Sequence, residues 1–222
     1  PSVFFNDTAA PEFYTRRPET EIVRLRTVLG DIDIEMFRGE TPITVANFFE
    51  YMNRGDYDDI VFHRNVPGFV IQGGGFRANA QFTDIPADPP ILNEPGISNT
   101  RGTVAMAKLG GNPNSATNEF FFNLANNGAN LDNQNGGFTV FAEVADADSL
   151  AVMDALAALD TFNASSLNGA FSDFPVTDLE EVENRGFPVP ADAAVINRTS
   201  ALLEITGEPF RQLETQGLTT IR

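Results

Sequence analysis

The segment FHRNVPGFVIQGGGF spans residues 62–76 and carries the strongest structural signal in this chain. Two short apolar runs flank Pro67-Gly68, a pattern typical of two strands joined by a tight turn. Arg64 interrupts the first run, and its permanently charged guanidinium offers several donors in a rigid plane. Arg64 is therefore the first candidate for a functional group. The alternative is an ion pair with one of the 31 acidic residues.

The scarcity of reactive side chains excludes several kinds of chemistry. His63 is the only histidine and cysteine is absent, which rules out a thiol nucleophile, a cysteine zinc site and any two-histidine metal site. A Ser-His-Asp triad would have to use His63, and the permanent cation next to it, Arg64, makes it a poor candidate for a general base. The glycine run at 73–75 lacks the Lys-Ser/Thr pair of a phosphate loop, and residues 132–137 lack the acidic spacing of a calcium loop. We expect neither a metal nor a cofactor.

Length and charge limit the class of protein. With 222 residues, 42% of them hydrophobic, the chain is long enough for one sizeable core. Its net charge is −17 and Lys108 is its only lysine, which disfavours a nucleic-acid partner. We interpret the acidity as a solvating surface on a monomer, and the sequence has no apolar run of the roughly 20 residues that span a bilayer. Pro1 stands first, which fits a removed signal peptide or a shortened chain, and we favour a periplasmic or otherwise exported location over the cytoplasm.

Hydrophobic periodicity divides the chain into three parts: an N-terminal arm (1–20), a barrel domain (21–184) and a C-terminal extension packing on the barrel (185–222). Within the barrel domain, period-two alternation predicts strands, a long polar loop covers 77–101, and Thr41-Pro42 with a following apolar stripe predicts a helix over 42–53. The predicted strands are 22–28, 32–36, 61–64, 69–73, 103–107, 119–124 and 138–144.

The second half of the chain has fewer signals. A second helix is predicted over 148–159, capped by Asp148 or Ser149, and 176–182 is a candidate late strand. The extension contains one more apolar segment at 201–205. Many short strands with two helices favour a closed β-barrel whose ends are plugged, because closure removes exposed sheet edges.

Alternation also predicts a binding face. Arg64, Phe69 and either Val70 or Gln72 are expected on one face, joined there by Phe121 from the EFFFNL strand. One cation and one amide beside an apolar floor would suit a small apolar ring attached to peptide carbonyls. Proline within a peptide is such a ligand.

Four ordered blocks make a family resemblance specific. FHRNVPGFVIQGG, GTVAMA, NEFFFNL and LDNQNGGFTVFAEV closely resemble the cyclophilin family of peptidyl-prolyl cis-trans isomerases, in a bacterial-like form, over roughly residues 20–183. The resemblance implies a mainly β fold, an eight-stranded antiparallel closed barrel capped by two α-helices. It also implies isomerisation of X-Pro bonds in protein folding, with Pro-containing peptides and unfolded proteins as partners and no cofactor. The alternatives are a non-catalytic module that binds Pro-peptides and a chaperone scaffold that uses the acidic surface and the terminal arms.

The resemblance also implies a set of site residues. Arg64 corresponds to the catalytic arginine, and the candidate substrate-binding residues are His63, Phe69, Val70, Gln72, Ala107, Lys108, Glu119, Phe121, Leu131 and Phe138. Five positions depart from the familiar pattern: Val70 for Met, Lys108 for Asn, Glu119 for Gln, Asn130 for Trp and Phe138 for His or Tyr. These departures imply weakened cyclosporin binding. One hypothesis for Glu119 is a pair with Arg64, which would hold the guanidinium or compete with substrate; the alternative is that Glu119 faces solvent.

Overall fold

The structure, a computed structural model, describes residues 21–203 and 211–212. The predicted N-terminal arm, residues 1–20, lies outside the described residues, as do 204–210 and 213–222. No helix in the described part of the chain combines the length and the hydropathy needed to cross a bilayer.

Strands predominate among the described elements. The strands are β1 (Ile22–Thr27), β2 (Gly30–Met36), β3 (Ile60–Val66), β4 (Val70–Arg77), β5 (Thr103–Met106), β6 (Phe120–Asn123), β7 (Val140–Val144), β8 (Asp160–Phe162), β9 (Phe174–Val176), β10 (Val195–Leu203) and β11 (Arg211–Gln212). The helices are α1 (Pro42–Asn53), α2 (Gly128–Leu131), α3 (Ala147–Ala157) and α4 (Leu179–Arg185), with 3-10 turns at Gln134–Gly136 and Pro190–Asp192.

Eight of these strands close into an antiparallel barrel. Their order is β1-β2-β7-β5-β6-β4-β3-β10, and β10 pairs back onto β1 with Leu25 opposite Thr199. The predicted fold class is therefore confirmed. Closure leaves only short strands outside the barrel: β11 pairs with the end of β10, and β8 and β9 form a separate hairpin.

The barrel interior is filled by one side of each alternating strand. Phe120 and Phe122 of β6 point into the main core, whereas Phe121 between them belongs to a separate cluster on the outer face. The two longer helices contribute to the same main core, with Phe48 from α1 and Met153 from α3 both fully buried. The apolar stripe of the helix predicted at 42–53 is thus a packing surface.

Three predictions for the second half of the chain are corrected. Helix α3 begins one residue earlier than predicted and is capped by Asp146, whose side chain accepts a hydrogen bond from the Ser149 N–H at 2.7 Å. The candidate late strand at 176–182 is wrong, because Asp178 caps α4 after β9 has ended at Val176. The domain boundary placed at residue 184 cut off β10, the strand that closes the barrel against β1 and β3.

Candidate active site

A β-bulge in β3 decides where Arg64 points. Phe62 lies opposite Gly73, but Arg64 lies opposite Gln72, so two residues of β3 face one residue of β4. Strict alternation would have placed Arg64 on the interior face with Phe62, which is fully buried in the main core. The inserted residue instead turns Arg64 to the outer face, a use of bulges that is common beside active sites.

A row of paired residues then crosses the outer face of the barrel. Gln72 pairs with Phe121, Phe121 with Ala105, and Ala105 with Val140. Val70 and Leu131 complete an apolar cluster with the last three of these residues. The result is an apolar floor with Arg64 and Gln72 along one side.

This floor belongs to a pocket of about 360 Å³, within the size range of roughly 300–1,000 Å³ found for small-ligand sites. Phe121 is only 4% exposed and its ring meets the Phe138 ring edge-on, with centroids 5.9 Å apart. The lining residues are Arg64, Phe69, Val70, Gln72, Ala107, Lys108, Phe121, Asn130, Leu131, Gln134 and Phe138.

Arg64 and Lys108 are the two cations that line the pocket, and they differ in their partners. Among residues 21–203, the Arg64 guanidinium has no carboxylate within 4.0 Å and no side-chain hydrogen bond. The Lys108 Nζ donates to the Gly137 and Asn135 carbonyls at 2.6 and 2.9 Å and to Asn93 Oδ1 at 3.1 Å. Burial lowers the pKa of Lys108. Lys108 is thus held by its own loop neighbours, while the donors of Arg64 remain available to a ligand.

Two contacts of Lys108 shape the wall formed by Phe138. Its ammonium lies 4.7 Å from the centre of the Phe138 ring, a cation–π geometry. Its hydrogen bonds tie the 3-10 turn at Gln134–Gly136 to the segment after β5. Lys108 therefore braces one side of the pocket.

A second hydrogen-bond network, centred on Asp132, holds the pocket wall that Phe138 forms. Asp132 accepts hydrogen bonds from Ser98 Oγ at 2.6 Å and from the backbone and side-chain N–H groups of Asn99, both at 2.9 Å. Asn99 also donates to the Phe138 carbonyl at 3.1 Å. Desolvation raises the pKa of Asp132, but these three hydrogen bonds lower it more, so the pKa lies below its usual 3.8. The carboxylate is ionised at neutral pH and anchors the loop that carries Leu131 and Phe138.

A sequence comparison decides the family. The family model described as cyclophilin type peptidyl-prolyl cis-trans isomerase/CLD matches residues 22–178, which is more than half of the chain. The chain belongs to this family.

Curated relatives of this cyclophilin are named peptidyl-prolyl cis-trans isomerases. A peptidyl-prolyl cis-trans isomerase of Acinetobacter baylyi is 44% identical over 126 residues, covering 55% of this chain and 65% of the relative. Peptidyl-prolyl cis-trans isomerase B of Escherichia coli is 39% identical over 166 residues, covering 71% of this chain and 94% of the relative. The chain thus spans just under two thirds of the first relative and nearly all of the second.

Solved structures agree on the fold. A cyclophilin type peptidyl-prolyl cis-trans isomerase of Cryptosporidium parvum superposes with a TM-score of 0.60 at 21% identity, covering 82% of this chain and 97% of that one. A second structure of that protein, determined in the presence of the dipeptide Ala-Pro, superposes with a TM-score of 0.58 at 21% identity, covering 80% of this chain and 96% of that one.

Nine of the eleven predicted site residues line the cyclophilin pocket, and two do not. His63 is 1% exposed and packs edge-on against Phe76, with ring centroids 4.8 Å apart. Glu119 lies behind Gln72, whose Nε2 donates to Glu119 Oε2 at 2.6 Å. The expected Glu119–Arg64 pair is absent among residues 21–203, because the carboxylate faces Gln72 and His63 instead.

Two lining residues were not among the predicted site residues. Asn130 lies on α2 and Gln134 opens the 3-10 turn that follows it. Both belong to the Asn-rich stretch that the sequence indicates only as a connection, so no periodicity marks them. For Asn130 the family resemblance gave a signal, because the residue stands where the best-known members carry Trp, and for Gln134 the only signal was its nearness to Leu131, three residues away. Within residues 21–203, no group of three His, Asp or Glu side chains is arranged to hold a metal ion.

Proposed function

We propose that this cyclophilin catalyses rotation about X-Pro bonds in peptides and unfolded proteins, with Arg64 as its catalytic residue. One observation carries the assignment of Arg64: its guanidinium lines the apolar pocket and has no ionic or hydrogen-bond partner among residues 21–203. A guanidinium committed to a structural ion pair would have fewer donors free for a ligand. The family's activity and the identity of the relatives support the same reaction.

The pocket's composition supports proline as the group it takes. Val70, Phe121 and Leu131 are each no more than 5% exposed and offer only apolar surface at its floor. Arg64 supplies donors at its side for the carbonyls that flank a pyrrolidine ring. The dipeptide Ala-Pro, in whose presence one Cryptosporidium parvum structure was determined, combines a pyrrolidine ring with a flanking carbonyl in this way.

Rotation about an X-Pro bond requires few functional groups beyond this arrangement. Amide resonance sets a rotational barrier of about 18–20 kcal/mol, whereas the two isomers differ by only about 0.5–1 kcal/mol. At the twisted transition state the proline nitrogen recovers its lone pair, which is a hydrogen-bond acceptor that the planar amide lacks. A hydrogen bond from an Arg64 N–H to this nitrogen is stronger in the transition state than in either ground state. Such differential binding lowers the rotational barrier.

Two-dimensional exchange NMR on a short Xaa-Pro peptide tests this function directly. With protein present in catalytic amounts, we expect cis-trans cross-peaks on a subsecond timescale, against tens to hundreds of seconds for the free peptide. Line broadening or chemical-shift changes without exchange cross-peaks would instead identify a module that binds Pro-peptides and does not turn them over.

We also propose that cyclosporin binds weakly to this chain. Asn130 lines the pocket at the position where the best-known cyclophilins carry Trp, so a large aromatic contact is replaced by a small amide. Inhibition of the isomerase by cyclosporin should therefore become tighter in Asn130→Trp. Equal inhibition of the parent and the variant would show that Asn130 is not the cause.

A further inference from the structure

The contact between Gln72 and Glu119 fixes the orientation of an amide at the pocket. Gln72 lines the pocket directly opposite Arg64 in the β3–β4 ladder. Its Nε2 donates to Glu119 Oε2 at 2.6 Å. An ionised carboxylate can only accept hydrogen bonds, so only the NH₂ end of the amide can face it. The Gln72 oxygen is thereby turned away from Glu119.

Two glycines of the GGG run make room for this contact. At Gly75, a Cβ would lie 2.8 Å from Glu119 Oε1. At Gly74, where φ is +95°, a Cβ would lie 2.3 Å from the Asn118 carbonyl. A side chain at position 74 would press on the Asn118 backbone in a strained conformation, and one at position 75 would displace the Glu119 carboxylate. The run, in which the sequence showed no phosphate loop, lies within β4 and lets the carboxylate reach Gln72.

The surroundings of Glu119 keep it ionised at neutral pH. His63 Nε2 lies 3.6 Å from Glu119 Oε2, and Gln72 donates to the same oxygen. Desolvation raises the pKa of Glu119, but His63 and Gln72 lower it more, leaving the pKa below its usual 4.5. The buried Tyr57 phenol, whose pKa burial raises well above 10.0, donates to the neighbouring Asn118 carbonyl at 2.8 Å and remains neutral.

We infer that Glu119 is a positioning residue for the isomerisation: it locks the Gln72 amide so that the Gln72 oxygen accepts a hydrogen bond from a backbone N–H of the bound peptide. The inference rests on the proposed function and deepens it. A residue next to proline in a peptide has an N–H that needs an acceptor, and proline itself has none. A glutamine at position 119 would accept or donate equally well, and the Gln72 amide would then adopt both orientations.

Glu119→Gln tests the inference because it preserves the size of the side chain and removes only the charge. Since about one hydrogen bond to the peptide is at stake, we expect KM to rise about three- to tenfold while kcat changes by less than about twofold. The parent should also lose affinity at acidic pH as Glu119 becomes protonated, and this acid limb should vanish in the variant. Glu143→Gln, which removes the same charge from an exposed position on β7, serves as the matched control.

A measurement without turnover separates this inference from the function on which it rests. In ¹⁵N-labelled parent protein, the Gln72 side-chain NH₂ resonance should shift as Glu119 titrates below pH 4.5, and in Glu119→Gln it should not. If the NH₂ resonance does not respond to this titration, or if the variant keeps the parent's KM and acid limb, Glu119 has no positioning role even though the chain isomerises proline. If the resonance responds but the parent shows no exchange catalysis, the proposed function fails and the inference fails with it.

Discussion

Replacing Arg64 with alanine is the perturbation that bears most directly on the mechanism. Because the guanidinium has no ion pair or hydrogen bond among residues 21–203, its removal leaves no buried carboxylate unpaired. We therefore expect the free energy of unfolding to change by less than about 1 kcal/mol. The pocket floor, built from Val70, Phe121 and Leu131, keeps its packing. The loss should fall on catalysis alone.

The size of that loss follows from the one interaction removed. A hydrogen bond to a charged group contributes about 1.5–3 kcal/mol, and a tenfold change in rate corresponds to about 1.36 kcal/mol. The kcat/KM of Arg64→Ala should therefore fall about 10- to 150-fold. Because the bond is strongest at the twisted transition state, most of the fall should appear in kcat.

A protease-coupled assay on a Pro-containing peptide measures this change, with exchange NMR as a protease-free check. Arg101→Ala is the matched control, since it removes the same charge from an exposed arginine that pairs with Asp154 at 2.6 Å and does not line the pocket. Arg64→Lys keeps the charge but loses the planar array of donors, and should recover only part of the activity. Full activity in Arg64→Ala, or an equal loss in Arg101→Ala, would remove Arg64 from the mechanism.

Two further predictions concern stability and the pocket wall. Asp146→Ala removes the N-cap of α3 and should lower the free energy of unfolding by about 1 kcal/mol in urea titrations at pH 7. The backbone hydrogen bond from Ser149 is the main cause that holds the pKa of Asp146 below 3.8. The stabilisation by the Asp146 carboxylate is therefore complete above pH 3.8 and is lost as the pH falls through the folded-state pKa. The unfolding free energies of parent and variant should then converge in strong acid. A difference that persists there would contradict the capping role. Lys108→Met removes three hydrogen bonds from the loop that forms the pocket wall. Amide hydrogen exchange at Gly137 should then accelerate about tenfold or more, and the KM for the peptide should rise. Unchanged exchange would show that the loop holds its shape without Lys108.

The sequence predicted most of the barrel because its strands carry a local signal. Period-two alternation located β1 to β7 to within two residues at each end, except that β4 continues four residues beyond its predicted end, and the Thr41-Pro42 start located α1. The many short strands favoured a closed barrel, and the family resemblance, confirmed by the match over residues 22–178, supplied the count of eight strands. Local pattern alone would have missed β10, because its partner β1 lies more than 160 residues earlier in the chain.

The site was predicted as a set of residues but not as a geometry. Pocket-lining residues on the outer face, such as Phe121, follow from alternation once the interior face is known. The partners of Glu119 do not follow, because they depend on how closely the segment 118–119 approaches β4. Sequence spacing cannot distinguish a carboxylate facing Arg64 from one facing Gln72.

By itself, the sequence determined the chemistry that is available: one histidine, no cysteine, a single lysine, and an arginine set among apolar residues. Side-chain types and their alternation are local properties, so they can be read without knowing what packs where. Only the tertiary structure showed how Arg64 reaches the binding face expected for it: counted from the buried Phe62, alternation along β3 would turn Arg64 inward, and the bulge opposite Gln72 reverses that side. Such a bulge is set by the pairing between two strands, and pairing is a property of both strands together.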